Sequence, residues 1–160
     1  MNLDILYGRA PEGERVHAHK PVNHGKRVNT IGAISNSGLL TSLCIEGTFN
    51  GYMFCWFVEH FLVPHLSPGK VVIMDNAKIH MDDEALYLIE QTGARVLFLP
   101  PYAPEFNPVE YCWSVLKTHL RKVKARTIQA LYQALEQGIR LITQELTKAC
   151  CKHCEVPSLN

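Results

Sequence analysis

Apolar residues occur along the chain in two patterns, as short continuous runs and as helical repeats, separated by turn residues. The short runs predict four strands, at Val28–Ser35, 39–45, 70–74 and 95–99. The first two runs flank the turn residues 36–38 and predict a β-hairpin. The last two runs are rich in β-branched or large apolar residues, which is typical of strands buried on both faces.

Four helices are predicted. The first prediction rests on a segment that is apolar on almost all sides, the second on acidic residues in the first turn with Gly93 as the stop, and the last two on apolar positions spaced three or four residues apart. The first is expected at 51–63, with Asn50 as its possible cap, and the second at 81–91. The third begins with Pro108 at its first position, after the possible cap Asn107. Its predicted apolar face consists of Val109, Cys112, Trp113, Leu116, Leu120 and Val123. The fourth is predicted as one helix, capped by Thr127, with apolar positions from Ile128 to Leu146 on one side.

The resulting order of elements is β, β, α, β, α, β, α, α. A hairpin followed by strands that alternate with helices predicts the α/β class, with a mixed sheet covered by helices. The first 27 residues are rich in glycine, proline and polar residues and predict an extended arm or loop. The 160 residues are enough for a single domain with its own core.

Charge and composition narrow the possible functions. The formal net charge of +1 excludes a chain that is strongly basic over its whole surface, as some nucleic-acid-binding proteins are. Any basic surface must therefore be local. No apolar run is long enough to cross a membrane, and residues 1–16 lack the layout of a signal peptide. We therefore expect a cytoplasmic protein with no membrane partner.

Six cysteines are present, and disulfides are not expected in a reducing compartment. Cys44, Cys55 and Cys112 lie in apolar stretches and are interpreted as small core residues. The tail 150–154 contains Cys151 and Cys154 as one ligand pair, whereas a structural zinc site usually needs two. The tail is interpreted as free thiols, with a zinc site as the alternative.

Asp75 directly follows the predicted strand 70–74, and Asn76 and His80 follow closely. In α/β sheets, ligands and chemistry collect beyond the carboxyl ends of the strands, which makes Asp75 a candidate catalytic carboxylate. The alternative is purely local, because Asp and Asn also organise turns through their own side chains.

Glu110 is the second candidate carboxylate. It lies three residues after Asn107, which is also the position of a helix-capping glutamate. The proline-rich approach 100–108 fixes several backbone angles in advance, and this rigid positioning favours a metal ligand. Carboxylates from two elements can bind Mg²⁺, which prefers oxygen ligands and leaves room for phosphate.

The helix that begins near Glu110 carries a basic stripe. At helical spacing, Glu110 is followed by Ser114, Lys117, Arg121 and Lys124, and no acidic residue occurs between Tyr111 and Leu135. A charged helix face is often only solvated. Because this stripe begins at the candidate metal ligand, Lys117, Arg121 and Lys124 are predicted to contact DNA phosphates.

The segments 75–80 and 101–110, together with Trp113, resemble the mariner-like superfamily of DDE transposases, most closely its bacterial insertion sequence 630 branch. The spacing of Asp75 and Glu110 is typical of that superfamily, and the segments 7–16 and 62–69 also resemble it. The resemblance implies an RNase H-like fold and a Mg²⁺ (or Mn²⁺) cofactor. It also implies cleavage of DNA at transposon ends, followed by transfer to target DNA.

In this resemblance Asp75 corresponds to the second and Glu110 to the third carboxylate of a catalytic and metal-binding triad, while Asn76 and His80 belong to the motif. The first carboxylate has no match, because Asp4 lies too close to Tyr7 for the family register. We therefore expect residues 1–160 to form one N-terminally truncated RNase H-like domain. It would lack the first, central strand and the helix-turn-helix domain.

This departure leaves open whether the chain is an enzyme. It can be one part of a transposase that acts as a homodimer at the nucleoid once an upstream-frame segment supplies the missing strand. It can also be a catalytically inactive nucleic-acid-binding remnant, or a metal-free fragment in which Glu110 is only a cap. Asp4 is a weaker candidate for the missing ligand.

Overall fold

A computed structural model describes residue 12, residues 27–101 and residues 103–155. The predictions for Asp4, for the segment 7–16 other than Glu12, and for the arm before Arg27 fall outside these residues. The strands are β1 (Val28–Ser35), β2 (Gly38–Glu46), β3 (Val71–Met74) and β4 (Arg95–Phe98). The helices are α1 (Gly51–Phe57), α2 (Asp83–Gln91), α3 (Pro108–Val123), α4 (Ile128–Ile139) and α5 (Gln144–His153).

The predicted hairpin is confirmed. β1 and β2 pair in antiparallel fashion, with a shift of register between Ala33 and Ile34. Gly32 is required on this hairpin, because a Cβ there would lie 2.9 Å from the Thr41 carbonyl oxygen and 3.0 Å from the ring of Trp113. The close approach of Trp113 seats α3 against the hairpin.

β3 and β4 pair in parallel, in the register Val71 with Arg95 through Met74 with Phe98, and α2 is the crossover between them. One face of this pair packs into the core through Val72, Met74, Val96 and Phe98. The other face is partly open, since Leu97 is 53% exposed. The prediction that both strands are buried on both faces is therefore wrong for β4.

The described strands form two separate two-stranded sheets, β1–β2 and β3–β4. A first core cluster fills the space between the hairpin, α1, α2 and β3–β4, and a second lies where α3 packs on α4. A third joins α3 to α5 through Cys112, Ile142 and Cys150. Within the described ranges, no helix combines the length and apolar character that a membrane span requires.

The helix predicted at 51–63 is present but changes its winding along its length. The Asn50 side chain accepts a hydrogen bond from the backbone N–H of Met53 (3.0 Å) and caps α1. A π-helical turn (Val58–Leu62) and a 3₁₀ turn (Val63–His65) then continue the chain. The wider turn changes which side chains face the core, and Val58 and Leu62 are both buried.

Two details of the next helices differ from the predictions. α2 begins at Asp83, not at 81, because the side chain of Asp82 caps it by accepting from the N–H of Ala85 (3.1 Å). The predicted apolar face of α3 is buried at Cys112, Leu116 and Leu120, but Val123, in the last turn, is exposed.

The prediction of one final helix is wrong, since the segment forms α4 and α5. Backbone N–H groups of Leu141 and Ile142 bond to carbonyls only three residues back, which tightens the end of α4. Thr143 then starts a new helix, because its hydroxyl accepts from the N–H of Leu146 (3.3 Å). The apolar spacing continues across this break, so periodicity alone does not reveal it.

Candidate active site

Asp75 lies directly after the carboxyl end of β3, as predicted from the sequence. Its Oδ1 accepts a hydrogen bond from the N–H of Ala77 (3.1 Å), so the expected Asx-type turn is present. This local role uses only one carboxylate oxygen. Among residues 27–101 and 103–155, none donates to Oδ2, and the side chain is 47% exposed.

His80 lies directly against Asp75. It ends a 3₁₀ turn (Lys78–His80) that returns the imidazole to the strand tip, with Nδ1 2.7 Å from Asp75 Oδ1 and 3.3 Å from the Asp75 carbonyl oxygen. The ring packs against the buried ring of Phe54 on α1, with centroids 4.8 Å apart. The contact between Asp75 and His80 therefore depends on two elements. The 3₁₀ turn brings the imidazole back to Asp75, and α1 supports the ring through Phe54.

Asn76 links the ends of the two parallel strands. Its Nδ2 donates to the carbonyl of Leu99 (2.6 Å), and the N–H of Leu99 donates to the carbonyl of Met74 (2.9 Å). Leu99 is the residue that leads from β4 into the proline-rich approach to α3. Asn76 thus ties the loop of Asp75 to the segment that leads to Glu110.

Glu110 lies in the first turn of α3 and does not form the capping box. The N–H of Asn107 donates to the carbonyl of Pro104 (3.0 Å), and the Asn107 side chain makes no capping hydrogen bond. The side chain of Glu110 is 43% exposed, and its one polar partner among the described residues is Lys117, with Oε2 3.9 Å from Nζ. The interpretation of Glu110 as a helix cap is therefore wrong in this structure.

A shallow depression of about 270 Å³ adjoins Glu110. It is lined by Pro104, Glu105, Glu110, Tyr111 and Ser114. Asp75 is not part of this lining. The depression therefore belongs to the α3 side of the molecule alone.

The structure brings some predicted site residues together and leaves others apart. Asp75, Asn76 and His80 form one group, and Glu110 pairs with Lys117. No described hydrogen bond or ion pair joins the two groups, and no described cluster has three or more His, Cys, Asp or Glu side chains placed to hold a metal ion. The convergence of Asp75 and Glu110 on one cation stays a prediction.

The basic residues follow Glu110 along α3 and beyond its end. Lys117 and Arg121 are half-buried, and Lys124 is exposed. Lys124 is the C-terminal cap in the left-handed conformation (φ 52°), with its N–H donating to the carbonyl of Leu120 (3.1 Å). The stripe predicted from helical spacing is therefore helical only as far as Arg121.

The cysteine-rich tail packs against the segment that presents Glu110, which the sequence did not indicate. Cys154 Sγ lies 3.2 Å from the carbonyl of Glu105, and the rings of Tyr111 and His153 meet edge to face at 4.8 Å. Cys112 Sγ and Cys150 Sγ are 3.8 Å apart, and burial raises the pKa of the Cys112 thiol to about 12.

These tail cysteines are thus buried, as are Cys55 and Cys112, whereas Cys44 is only half-buried beside the Thr30 hydroxyl. The tail residues of α5 pack against α3 and the segment before it. The signal that could have suggested this is the i, i+4 spacing of Cys150, in α5, and Cys154, directly after it.

The fold and the site define a class of protein. The sequence pattern of the family described as DDE superfamily endonuclease matches residues 4–132, and the chain belongs to this family. The prediction of a DDE transposase domain is confirmed at this level. No curated protein sequence matches the chain.

Solved structures of the mariner transposase Mos1 share the fold. The Mos1 strand transfer complex has a TM-score of 0.74 at 16% identity and covers 93% of this chain and 46% of that one. The paired-end complex with the left transposon end has a TM-score of 0.75 at 14% identity, covering 92% and 46%. The mariner paired-end complex with Mn has a TM-score of 0.70 at 15% identity, covering 93% and 47%.

This similarity confirms the predicted α/β, RNase H-like class. The chain spans about half the length of each of these solved Mos1 chains.

Proposed function

We propose that this chain is the catalytic part of a transposase, in which Asp75 and Glu110 hold a divalent cation that supports cleavage and joining of DNA strands. Both carboxylates lie inside the residues that match the DDE family. The observation that carries the proposal is the state of Asp75. Its Oδ1 is held by the surrounding turn, while Oδ2 has no described partner and the side chain is half exposed.

The donor chemistry of these side chains fits a hard divalent cation. Mg²⁺ and Mn²⁺ prefer carboxylate oxygens, and Mg²⁺ is often held by one or two carboxylates plus waters and substrate phosphates. Among the described residues, Asp75 Oδ2 has no polar partner, and the one ion pair of Glu110 is the 3.9 Å contact with Lys117. The Mos1 complex with Mn supports a divalent cation, and we propose Mg²⁺ as the physiological ion.

The side chains of this chain have distinct roles in the proposal. Asp75 and Glu110 bind the cation, and Asn76 fixes the loop of Asp75 to the end of β4. When bound, a divalent cation lowers the pKa of an attacking water or 3′-hydroxyl and stabilises the leaving oxygen of a phosphodiester. Lys117, on the same helix as Glu110, neutralises phosphate charge near the reacting strand.

DNA is the proposed partner, as transposon ends and as target. The similar Mos1 structures are a strand transfer complex and a paired-end complex with a transposon end, which supports the same kind of substrate here. We propose a homodimer as the working assembly, with an upstream-frame transposase segment completing the domain. The site of action is then the bacterial nucleoid, and the insertion sequence 630 branch is the proposed source.

Nicking of supercoiled plasmid DNA in the presence of Mn²⁺ tests the catalytic proposal. It should be assayed for the chain alone and with the segment encoded directly upstream. We expect wild-type nicking in at least one of these conditions and none with Asp75→Ala, while the DNA dissociation constant changes by less than about twofold, since Asp75 is not a predicted phosphate contact. Glu84→Ala, on α2, is the matched control and should nick as wild type.

Two outcomes would contradict the catalytic proposal. Equal nicking by wild type and Asp75→Ala would remove Asp75 from the chemistry. DNA binding without nicking in either condition would favour the catalytically inactive nucleic-acid-binding remnant.

The salt dependence of DNA binding tests the proposed phosphate contacts separately. Each lost phosphate contact lowers the slope of log K against log salt by about 0.9. Lys117→Ala with Arg121→Ala should therefore lower the slope by about two, whereas Lys148→Ala on α5 should leave it unchanged. Lys124→Ala should lower it by about one more, and an unchanged slope in all variants would exclude this face from DNA contact.

A further inference from the structure

We infer that His80 is a positioning residue, which holds the Asp75 carboxylate in the one orientation that presents Oδ2 to a divalent cation. The inference rests on the proposed function and deepens it, because it assigns a role to a side chain that does not itself bind the cation. It is carried by three observations: the placement of the imidazole on Asp75, the support of the ring by Phe54, and the unequal use of the two carboxylate oxygens.

The first observation fixes which atom of His80 carries a hydrogen. Nδ1 lies 3.3 Å from the backbone carbonyl of Asp75 and 2.7 Å from Oδ1. A carbonyl oxygen only accepts hydrogen bonds, so Nδ1 must be the donor. One N–H therefore faces both the main chain and the side chain of Asp75, and it ties the carboxylate to the backbone of the strand tip.

The second observation explains why the ring stays in place. The 3₁₀ turn Lys78–His80 is closed by the N–H of His80, which donates to the carbonyl of Ala77 (2.8 Å). On its other side the ring packs at 4.8 Å against Phe54, which is buried in the first core cluster. His80 is accordingly 19% exposed, less than half the exposure of Asp75.

The third observation gives the consequence for the carboxylate. Oδ1 accepts from the N–H of Ala77 and faces Nδ1 of His80, whereas Oδ2 has no described donor. A carboxylate held through one oxygen cannot rotate freely and points the other oxygen outward. Groups that orient a metal ligand in this way typically change metal affinity by about 10- to 100-fold when they are removed.

Mn²⁺ binding to the full chain tests this role without requiring activity. Binding is measured by the loss of the free-ion signal in electron paramagnetic resonance. His80→Phe fills the space beside Phe54 but has no donor, and it should weaken Mn²⁺ binding about 10- to 100-fold. His80→Asn can place an amide N–H where Nδ1 lies and should restore affinity to within about threefold of wild type. His60→Phe, an exposed histidine on the π-helical turn, is the matched control and should bind as wild type.

The outcomes separate this inference from the proposed function. If wild type binds Mn²⁺, Asp75→Asn abolishes binding and His80→Phe binds as wild type, the positioning role is wrong and the metal site stands. If His80→Asn binds as weakly as His80→Phe, the donor is not what matters and the positioning role is also wrong. If folded wild type does not bind Mn²⁺, or Asp75→Asn binds it unchanged, the metal site fails and the positioning role fails with it.

A second measurement needs no variant of His80 to fold. In ¹⁵N-labelled wild-type chain, long-range proton–nitrogen correlation spectra distinguish the two tautomers of a neutral imidazole. We expect a hydrogen on Nδ1 of His80, with the ring signals assigned through their connection to the backbone resonances of His80. A hydrogen on Nε2 alone, with none on Nδ1, would overturn the inference, because Nδ1 could then not donate to Asp75.

Discussion

The tip of β3 and the first turn of α3 hold their carboxylates in different ways. At the strand tip, Asp75 is fixed by its own loop, through the N–H of Ala77 and the ring of His80. At the helix start, the one ion pair of Glu110 within the described ranges is a 3.9 Å contact with Lys117, and the two side chains are 43% and 33% exposed. The orientation of Asp75 is therefore set by polar contacts, and that of Glu110 by the helix that carries it.

Asp75 and Glu110 also depend on different parts of the molecule for their positions. The position of Glu110 depends on how α3 packs, through Leu116 and Leu120 against α4 and through Cys112 against α5. Asp75 depends on the parallel strand pair and on Phe54. Damage to the helical core should thus disturb Glu110 first, and loss of polar contacts should disturb Asp75 first.

The largest effect is expected for Leu116→Ala, which empties the centre of the helical core. Leu116 is fully buried, and removing a buried leucine side chain costs about 2–5 kcal/mol of unfolding free energy. Urea denaturation of wild type and variant measures it. Leu141→Ala is the matched control, since Leu141 is exposed and its loss should change the free energy by less than about 0.5 kcal/mol. Equal effects of the two would mean that α3 is not anchored through Leu116.

A smaller effect is expected for Asn76→Ala at the strand tip. The variant loses the partly buried hydrogen bond to the Leu99 carbonyl, which is worth about 1 kcal/mol of unfolding free energy. Asn29→Ala removes an exposed hydrogen bond to the Gly47 carbonyl and should cost less in the same urea experiment. If Asn29→Ala costs more, the Asn76 bond does not hold the ends of β3 and β4 together.

Elements with a strong local signal could be predicted from the sequence. The hairpin, the strand before Asp75 and the capped starts of α1 and α4 follow from composition and spacing, and the structure contains them. The break between α4 and α5 cannot be predicted in this way, because the apolar spacing runs through Ile142 without interruption. Leu97 was expected to be buried, since an apolar strand does not reveal that one face of its sheet is left partly open.

In the candidate site, too, local proximity could be predicted from the sequence, whereas contacts between distant elements could not. Asp75, Asn76 and His80 are close in sequence, so their proximity could be predicted from the motif. Phe54 could not be connected with them, because it reaches His80 from a distant helix through the core. The tail contact of Cys154 with Glu105 likewise depends on how α5 packs against α3, which no local pattern encodes.

The smallest effect is expected for Lys117→Met on the α3 side. The ion pair with Glu110 is long and substantially exposed, so its loss should change the unfolding free energy by less than about 0.5 kcal/mol. Arg140→Met, which breaks the exposed pair with Glu136 on α4, should have an equally small effect. A loss above about 1 kcal/mol for Lys117→Met alone would show that polar contacts do hold Glu110, contrary to the comparison above.

We propose above that Asp75 and Glu110 hold one divalent cation together. Titration of Mn²⁺ into wild type, Asp75→Asn, Glu110→Gln and the double variant tests it most directly, with bound ion counted by electron paramagnetic resonance. We expect one Mn²⁺ per wild-type chain, a loss of affinity of more than about tenfold in each single variant, and a double variant less impaired than the two losses combined. Wild-type affinity in Glu110→Gln, or two ions that respond independently to the two substitutions, would contradict it.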